Sequence, residues 1–159
     1  MRPQHFFRPA RSALVAAALA LASAQAMAAC TIRSVSAVAF GAYDVFAAAA
    51  DTGTGSFSVS NCSGGARTYT ARLSVGTTPG ATYSARLMRN GSNYLQYNLY
   101  KDAAYAQVWG DGTGGTVTLA NTNSGSGTGP THTIYGRIPA GQDLPVGTYT
   151  DAIVITITF

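Results

Sequence analysis

Glutamate is absent from the 159 residues, and the acidic side chains are six aspartates scattered over predicted turns and strands. A catalytic triad would have to use His132, because His5 lies in the N-terminal leader discussed below, and no G-x-S-x-G nucleophile motif accompanies it. No carboxylate pattern indicates a glycosidase pair, and one histidine with two cysteines that we expect to be oxidised cannot supply the ligands of a zinc site. The sequence therefore predicts no catalytic residue, no metal and no cofactor, and we expect a protein that is not an enzyme.

One glycine-rich loop resembles a nucleotide-binding motif, because Gly110–Gly115 fits the pattern G-x-G-x-x-G. That motif binds pyrophosphate where a strand precedes it and a helix follows it. Here the next residues, Thr116–Leu119, are strand-like, and no lysine follows Gly115 as it would in a P-loop. We therefore expect a glycine-rich hairpin between Ala106–Trp109 and Thr116–Leu119 rather than a nucleotide site.

The first 28 residues have the features of a signal peptide. Three arginines precede an apolar run over Ser12–Ser23, and Ala26-Met27-Ala28 follows as a small-x-small cleavage site. The run is shorter than the ~20 residues that span a membrane; a buried N-terminal helix, the other interpretation, would not need the arginines. We expect cleavage after Ala28, export through the periplasm, and one domain over residues 29–159 without a transmembrane span.

The leader also carries most of the positive charge. Without its three arginines, the chain has seven basic and six acidic residues and a net charge of +1. No stripe of lysine and arginine remains, so the electrostatic footprint of nucleic-acid binding is missing.

Both cysteines, Cys30 and Cys62, lie in the part of the chain that we expect to be exported. Cysteines of exported domains usually pair, and closing a loop of this length stabilises a fold by roughly 3–4 kcal/mol. Met27–Cys30 also resembles a lipoprotein box, in which Cys30 would be lipidated and Cys62 would lack a partner. Methionine is a poor match to the first position of that box, which favours the disulfide.

Short alternations of apolar and polar residues, separated by turn residues, fill the rest of the chain. In Thr148–Phe159 the odd positions are mostly isoleucine or aromatic and the even positions mostly threonine, which predicts a strand packed on one side. Asn121–Pro130, rich in glycine, serine, threonine and asparagine, is expected to be a loop. Seven or eight short strands in one domain indicate an all-β sandwich. Similar alternation predicts strands at Ser56–Asn61, Thr68–Val75, Tyr94–Tyr100 and Thr131–Ile138.

The same alternation assigns side chains to faces. We interpret His132 as a half-buried strand histidine that shares a face with Ile134 and Ile138. Cys62 falls on the face opposite Phe57 and Val59, so a bulge near Asn61, or a strand end there, is needed to direct it towards Cys30. Two further faces consist of Tyr69, Ala71, Leu73 and Val75, and of Leu95, Tyr97 and Leu99.

Several short blocks follow one another along the chain: Cys30-Thr31, Ala39–Asp44, Tyr97–Tyr100, Val108–Gly115, Tyr135–Gln142 and Gly147–Phe159. In this order they resemble the spore coat protein U domain family, which includes spore-coat proteins and subunits of archaic chaperone–usher pili. The resemblance implies a secreted bacterial protein with an immunoglobulin-like sandwich. It also implies that the sandwich is incomplete, as in pilins, which lack one strand.

The resemblance further implies partners for this chain: a periplasmic chaperone, an outer-membrane usher and other pilin-like subunits. A chaperone, and later a neighbouring subunit, supplies the missing strand by donor-strand complementation. By analogy the last strand lines the open groove, with the Phe159 carboxylate as an anchor; alternatively its apolar residues only belong to the core. The candidate groove residues are Ile153, Ile155, Ile157 and Phe159.

Two functions from different classes follow. The first is a structural or adhesive subunit of a pilus or coat at the cell surface. The second is a secreted, monomeric module that binds a carbohydrate or a surface. Nine tyrosines and one tryptophan would suit such binding, although the usual composition of strands explains these aromatic residues as well.

Only Ala29 precedes Cys30 after the expected cleavage. We therefore expect a subunit that accepts a strand without donating one, at the end of a fibre or in a coat.

Overall fold

The structure of the protein is a computed structural model that describes residues 30–60, 62, 65–123, 125, 127 and 129–159. The expected signal peptide, residues 1–28, and the expected irregularity at Asn61 lie outside the described residues. Every regular element within them is a β-strand, which confirms the all-β prediction. The strands are β1 (Thr31–Ala39), β2 (Asp51–Ser60), β3 (Arg67–Leu73), β4 (Arg86–Asn90), β5 (Asn93–Tyr100), β6 (Leu119–Asn123), β7 (Thr131–Ile138) and β8 (Ile155–Thr158).

These strands form two sheets that face each other as a sandwich. One sheet has five strands in the order β1-β2-β7-β5-β4, and the other has three in the order β6-β3-β8. The pairing of β2 with β7 runs without a shift from Asp51 opposite Ile138 to Ser58 opposite Thr131, and it forms the centre of the larger sheet. The core between the sheets is built mainly from Phe57, Val59, Tyr69, Ala71, Leu73, Leu95, Tyr97, Leu99, Trp109, Ile134 and Ile138.

Alternation predicted the core-facing side of the central strands. Tyr69, Ala71 and Leu73 of β3 are almost completely buried, as are the even residues of β7 and the apolar odd residues of β5, Leu95, Tyr97 and Leu99. Successive side chains of a strand point to opposite faces, so an alternating pattern fixes which face is buried once one member enters the core. Val75 lies outside this pattern because β3 ends at Leu73.

A glycine on the core face of β7 makes room for the end of β1. A Cβ atom at Gly136 would lie 2.5 Å from side-chain atoms of both Val38 and Phe40. The ring of Phe40 also packs edge-on against Tyr97 of β5, with 6.0 Å between the ring centroids. Val38 and Phe40 therefore fill the part of the core next to Gly136, and a side chain at position 136 would displace them.

The prediction of one continuous strand over Thr148–Phe159 is wrong in its extent. Thr150 forms two backbone hydrogen bonds with Arg89 of β4, of 2.8 and 3.2 Å, and so lies at the edge of the five-stranded sheet. Regular pairing resumes at Ile155, which lies opposite Leu73 in the other sheet. The last segment therefore crosses from one sheet to the other between these residues.

Two connections between strands also differ from the predictions made from the sequence. Trp109 and Val117 form a parallel bridge, so the segments that flank the glycine-rich loop do not form the expected hairpin. The expected loop Asn121–Pro130 begins later, because Asn121–Asn123 pairs with the first residues of β3 and belongs to β6. At Asn121–Asn123, pairing with the distant strand β3 overrides local turn composition.

Cys30 and Cys62 form a disulfide bond at the end of the larger sheet where β1 begins and β2 ends. Cys62 is buried, whereas almost every residue of β1 is exposed. The bond therefore ties an edge strand with little buried surface to the well-packed strand beside it.

Candidate functional site

The predicted groove residues lie on or next to β8, a strand with a free edge. In the described sheet β8 pairs with β3 and has no strand on its other side. Ile155 lies opposite Leu73, and Ile157 lies opposite Ala71. Residues that lie opposite each other in an antiparallel pair share a face, so both isoleucines point towards the core that buries Leu73 and Ala71.

Those isoleucines are only partly buried, although they face the core. Ile153, Ile155 and Ile157 pack against the buried cluster as half-buried side chains, whereas the alternate residues Val154 and Thr156 are exposed. Their partners on β3 are almost completely buried. The difference follows from position, because β3 has a strand on each side and β8 has one on a single side.

Phe159 continues this row but is less well packed. Its ring contacts Tyr69 with 6.4 Å between centroids, and 53% of the residue remains exposed. Ile153 lies before β8 and is held by its neighbour Val154, whose backbone N–H donates to Ser74 Oγ and whose carbonyl accepts from Ser74 N–H, both at 3.0 Å. The four candidates thus form one apolar row beside an unpaired strand edge.

The crossing that begins this row is fixed by Asp151. Its Oδ1 accepts hydrogen bonds from the backbone N–H groups of Thr77 (3.0 Å) and Thr78 (3.2 Å) and from both of their hydroxyls. Its Oδ2 accepts a 2.7 Å hydrogen bond from Tyr97 Oη. Burial raises the pKa of Tyr97, and the hydrogen bond to Asp151 raises it further, so this hydroxyl stays a donor.

An apolar cavity of about 590 Å³ lies beside the ends of β1, β5 and β7. None of the four predicted groove residues lines it. Its walls combine core side chains with loop residues that alternation does not identify, although the Ala39–Asp44 block of the family pattern contributes. Phe46 and Val146, at its rim, are almost fully exposed. The main apolar wall residues are Val38, Phe40, Tyr43, Met88, Leu95, Ile138, Leu144 and Tyr149.

The buried side chains of His132 and Arg86 have structural partners. His132 is buried between Phe57 and Tyr69, and its Nε2 is 2.5 Å from Tyr69 Oη. Burial lowers the pKa of His132. Arg86 is fully buried and donates to the carbonyls of Ser74 and Trp109 and to Asn98 Oδ1, and burial lowers its pKa.

Within the described ranges no three His, Cys, Asp or Glu side chains lie close enough together to hold a metal ion. The glycine-rich loop is organised by its own side chains, because Asp111 Oδ1 accepts from the N–H and hydroxyl of Thr113. Among the same residues no helix has the length and apolar character needed to cross a membrane.

Comparison with known proteins matches the chain to a family model and to a curated relative of the same kind. The model of the Spore Coat Protein U domain matches residues 16–156. Protein U of Myxococcus xanthus is 38% identical over 113 residues, which cover 67% of this chain and 60% of that protein. The chain therefore spans less than two thirds of this relative.

A solved structure has a similar fold. It is the crystal structure of the CsuC–CsuE chaperone–tip adhesion subunit pre-assembly complex from archaic chaperone–usher Csu pili of Acinetobacter baumannii. One of its chains aligns with a TM-score of 0.55 and 19% identity, covering 84% of this chain and 40% of that one. The likeness shows a shared fold.

Proposed function

Because this chain belongs to the spore coat protein U domain family, we propose that it is a non-catalytic, exported subunit of a bacterial surface assembly. The assembly is a chaperone–usher pilus or a layer of the spore-coat type. The subunit is joined to its neighbour by a β-strand that pairs with the free edge of β8.

One observation carries the proposal: Ile155 and Ile157 face the core but stay half-buried, beside a strand edge with no partner in the described sheet. An unpaired edge presents backbone N–H and C=O groups that another strand can pair with. A strand added there would also bring side chains over the exposed flanks of the isoleucines. Backbone pairing and apolar burial at one edge are the two components of strand addition.

The free energy available is a substantial fraction of the stability of a small domain. Burying a large apolar side chain completely is worth about 1.5–3 kcal/mol. Ile153, Ile155, Ile157 and Phe159 are already partly buried, so closing the groove recovers on the order of half of that for each. The sum is several kcal/mol, against a typical net stability of ~5–15 kcal/mol.

The free energy gained by closing the groove indicates which partners the subunit would need. Before assembly a periplasmic chaperone would cover the edge, since an exposed apolar edge promotes aggregation. An outer-membrane usher would then exchange the chaperone for the strand of another pilin-like subunit. The name of the Acinetobacter complex pairs a chaperone with a tip adhesion subunit, which supports this order of partners for a chain of the same fold.

Substitutions on the two faces of β8 test the proposal. Ile155→Asp puts a carboxylate on the core face, and Thr156→Asp, one residue away, puts the same group on the exposed face. We expect Ile155→Asp to abolish both the folded periplasmic protein and its capture by the chaperone, and Thr156→Asp to preserve both. Native mass spectrometry of affinity-purified periplasmic complexes measures the outcome. A normal yield of chaperone-bound Ile155→Asp would refute strand addition at β8.

A further inference from the structure

Three tyrosines and an arginine form a cluster on the outer face of the five-stranded sheet. Tyr100 of β5 lies opposite Tyr135 of β7, and Arg137 follows two residues later on the same face. Tyr105, in the loop after β5, packs edge-on against Tyr100 with 5.4 Å between the ring centroids at an angle of 86°. The guanidinium carbon of Arg137 lies 5.7 Å from the centroid of the Tyr105 ring.

The loop that carries Tyr105 is held in place by Asp102. Its carboxylate accepts the backbone N–H groups of Ala106 (3.2 Å) and Gln107 (2.8 Å), and its carbonyl accepts that of Tyr105 at 3.1 Å. Tyr105 adopts a φ of 56°, in the left-handed region that L-residues with bulky side chains rarely occupy. Glycine would adopt this conformation without strain. Such strain concentrates at functional sites, so the ring of Tyr105 is the feature that needs an explanation.

The cluster offers two kinds of recognition. Half-buried tyrosine rings present flat apolar surface with a polar tip, which suits the C–H faces of sugar rings. The guanidinium of Arg137 makes no hydrogen bond or ion pair with any described residue, so its donors are available to a carboxylate, which arginine binds with two parallel hydrogen bonds. Thr52 and Thr54 of β2 lie opposite Arg137 and Tyr135 and add hydroxyls beside the cluster.

We propose that Tyr100, Tyr105, Tyr135 and Arg137 bind an acidic polysaccharide, with sugar rings against the tyrosines and a sugar carboxylate on Arg137. Lys101 adds a second positive charge at this end of the sheet, and both oxygens of the nearby acidic residue, Asp102, accept amides of its own loop. The threonine hydroxyls beside the cluster can hydrogen-bond to the hydroxyls of a sugar, which favours a polysaccharide over a protein partner. The proposal concerns a different face from the β8 edge and is independent of the proposed function.

The test uses the full chain, exported and purified from the periplasm, and measures binding by isothermal titration calorimetry. The probes are oligogalacturonate, which carries a carboxylate on each sugar, and maltohexaose, a neutral control. We expect oligogalacturonate to bind with an affinity that falls as salt is raised, because charge attraction is screened. Maltohexaose should not bind measurably. Absence of binding to oligogalacturonate, or equal binding of both probes, would overturn the proposal.

Variants separate binding from folding. Tyr105→Gly removes the ring and relieves the left-handed strain, so its Tm should be unchanged or higher while affinity falls about tenfold or more. Arg137→Lys keeps the charge but not the paired donors and should weaken binding severalfold. Tyr94→Ala and Arg89→Ala, on β5 and β4 outside the cluster, serve as matched controls with unchanged affinity. Wild-type affinity in Tyr105→Gly and Arg137→Lys would overturn the assignment, whatever the outcome for chaperone capture.

Discussion

At the scale of single residues, the carboxylate of Asp151 joins three parts of the chain. It accepts hydrogen bonds from Thr77 and Thr78, after β3, and from Tyr97 in β5, while its own neighbour Thr150 pairs with β4. Charge-assisted hydrogen bonds of this kind are shorter and stronger than neutral ones. Asp151 therefore fixes the point at which the last segment changes sheets and the apolar row along β8 begins.

Replacing Asp151 by asparagine should destabilise the fold. The amide keeps one acceptor oxygen but loses the charge, and its NH₂ group faces hydroxyl or amide donors. Hydrogen bonds to charged groups contribute ~1.5–3 kcal/mol each, so we expect Asp151→Asn to lower the free energy of unfolding by about 2–3 kcal/mol. Urea denaturation measures the change, with the exposed Asp143→Asn as control. Equal stability of the two variants would show that Asp151 does not fix the crossing.

We expect His132 to make the stability of the fold depend on pH. Its folded-state pKa is lowered by burial, so below the ordinary value of about 6.5 the unfolded chain binds a proton that the folded chain does not. The free energy of unfolding should then decrease as pH falls through 6.5 towards the folded-state pKa. Above that window the contribution of neutral His132 to stability is fully present. Urea titrations between pH 5 and 8 measure this slope. In His132→Gln the slope should largely disappear, and an unchanged slope would assign it to another group.

At the scale of strands, predictability followed the burial pattern. The alternating residues of β3, β5 and β7 were recognised because one face of each strand is buried. β1 was missed because nearly all of it is exposed, and β4 was missed because it begins with Arg86, a buried charge that no apolar pattern indicates.

The candidate site was predicted in part for a related reason. The alternation of apolar and polar residues identified Ile155 and Ile157 as core-facing. The same alternation continues without a break through Asp151, so it gave no sign of the change of sheet. The contacts of Asp151 with Thr77 and Thr78 join residues more than 70 positions apart, which no local pattern contains. The cavity was missed because loop residues such as Tyr43 and Leu144, which follow no strand period, form much of its wall.

The disulfide should matter most to β1. Because Cys30 and Cys62 close a loop of 32 residues, reduction should lower the free energy of unfolding by about 3–4 kcal/mol. β1 has little buried surface of its own, so its amides should lose protection before those of β7. Hydrogen exchange with and without reductant, on alkylated and oxidised protein, measures both effects. Uniform loss of protection across the two strands would contradict a local role for the bond.

At the scale of the whole molecule, a sandwich with one five-stranded and one three-stranded sheet leaves apolar surface at the edge of the smaller sheet. We expect the isolated domain to be only marginally stable, and an added strand that fits the β8 edge to stabilise it. A ligand at one hundred times its Kd stabilises a fold by ~2.7 kcal/mol, and a rise in Tm that depends on strand concentration would reveal it.

Two synthetic peptides of identical composition make this prediction specific. In one, large apolar residues alternate with threonine, so that one face can pack over Ile153, Ile155 and Ile157; in the other, the same residues are grouped, and alternation is lost. Since a strand presents every second side chain to one face, the alternating peptide should raise Tm and protect the amides of β8 from hydrogen exchange, and the grouped peptide should do neither. A domain that is already a thermally resistant monomer, and that responds to neither peptide, would mean that the edge of β8 does not receive a strand.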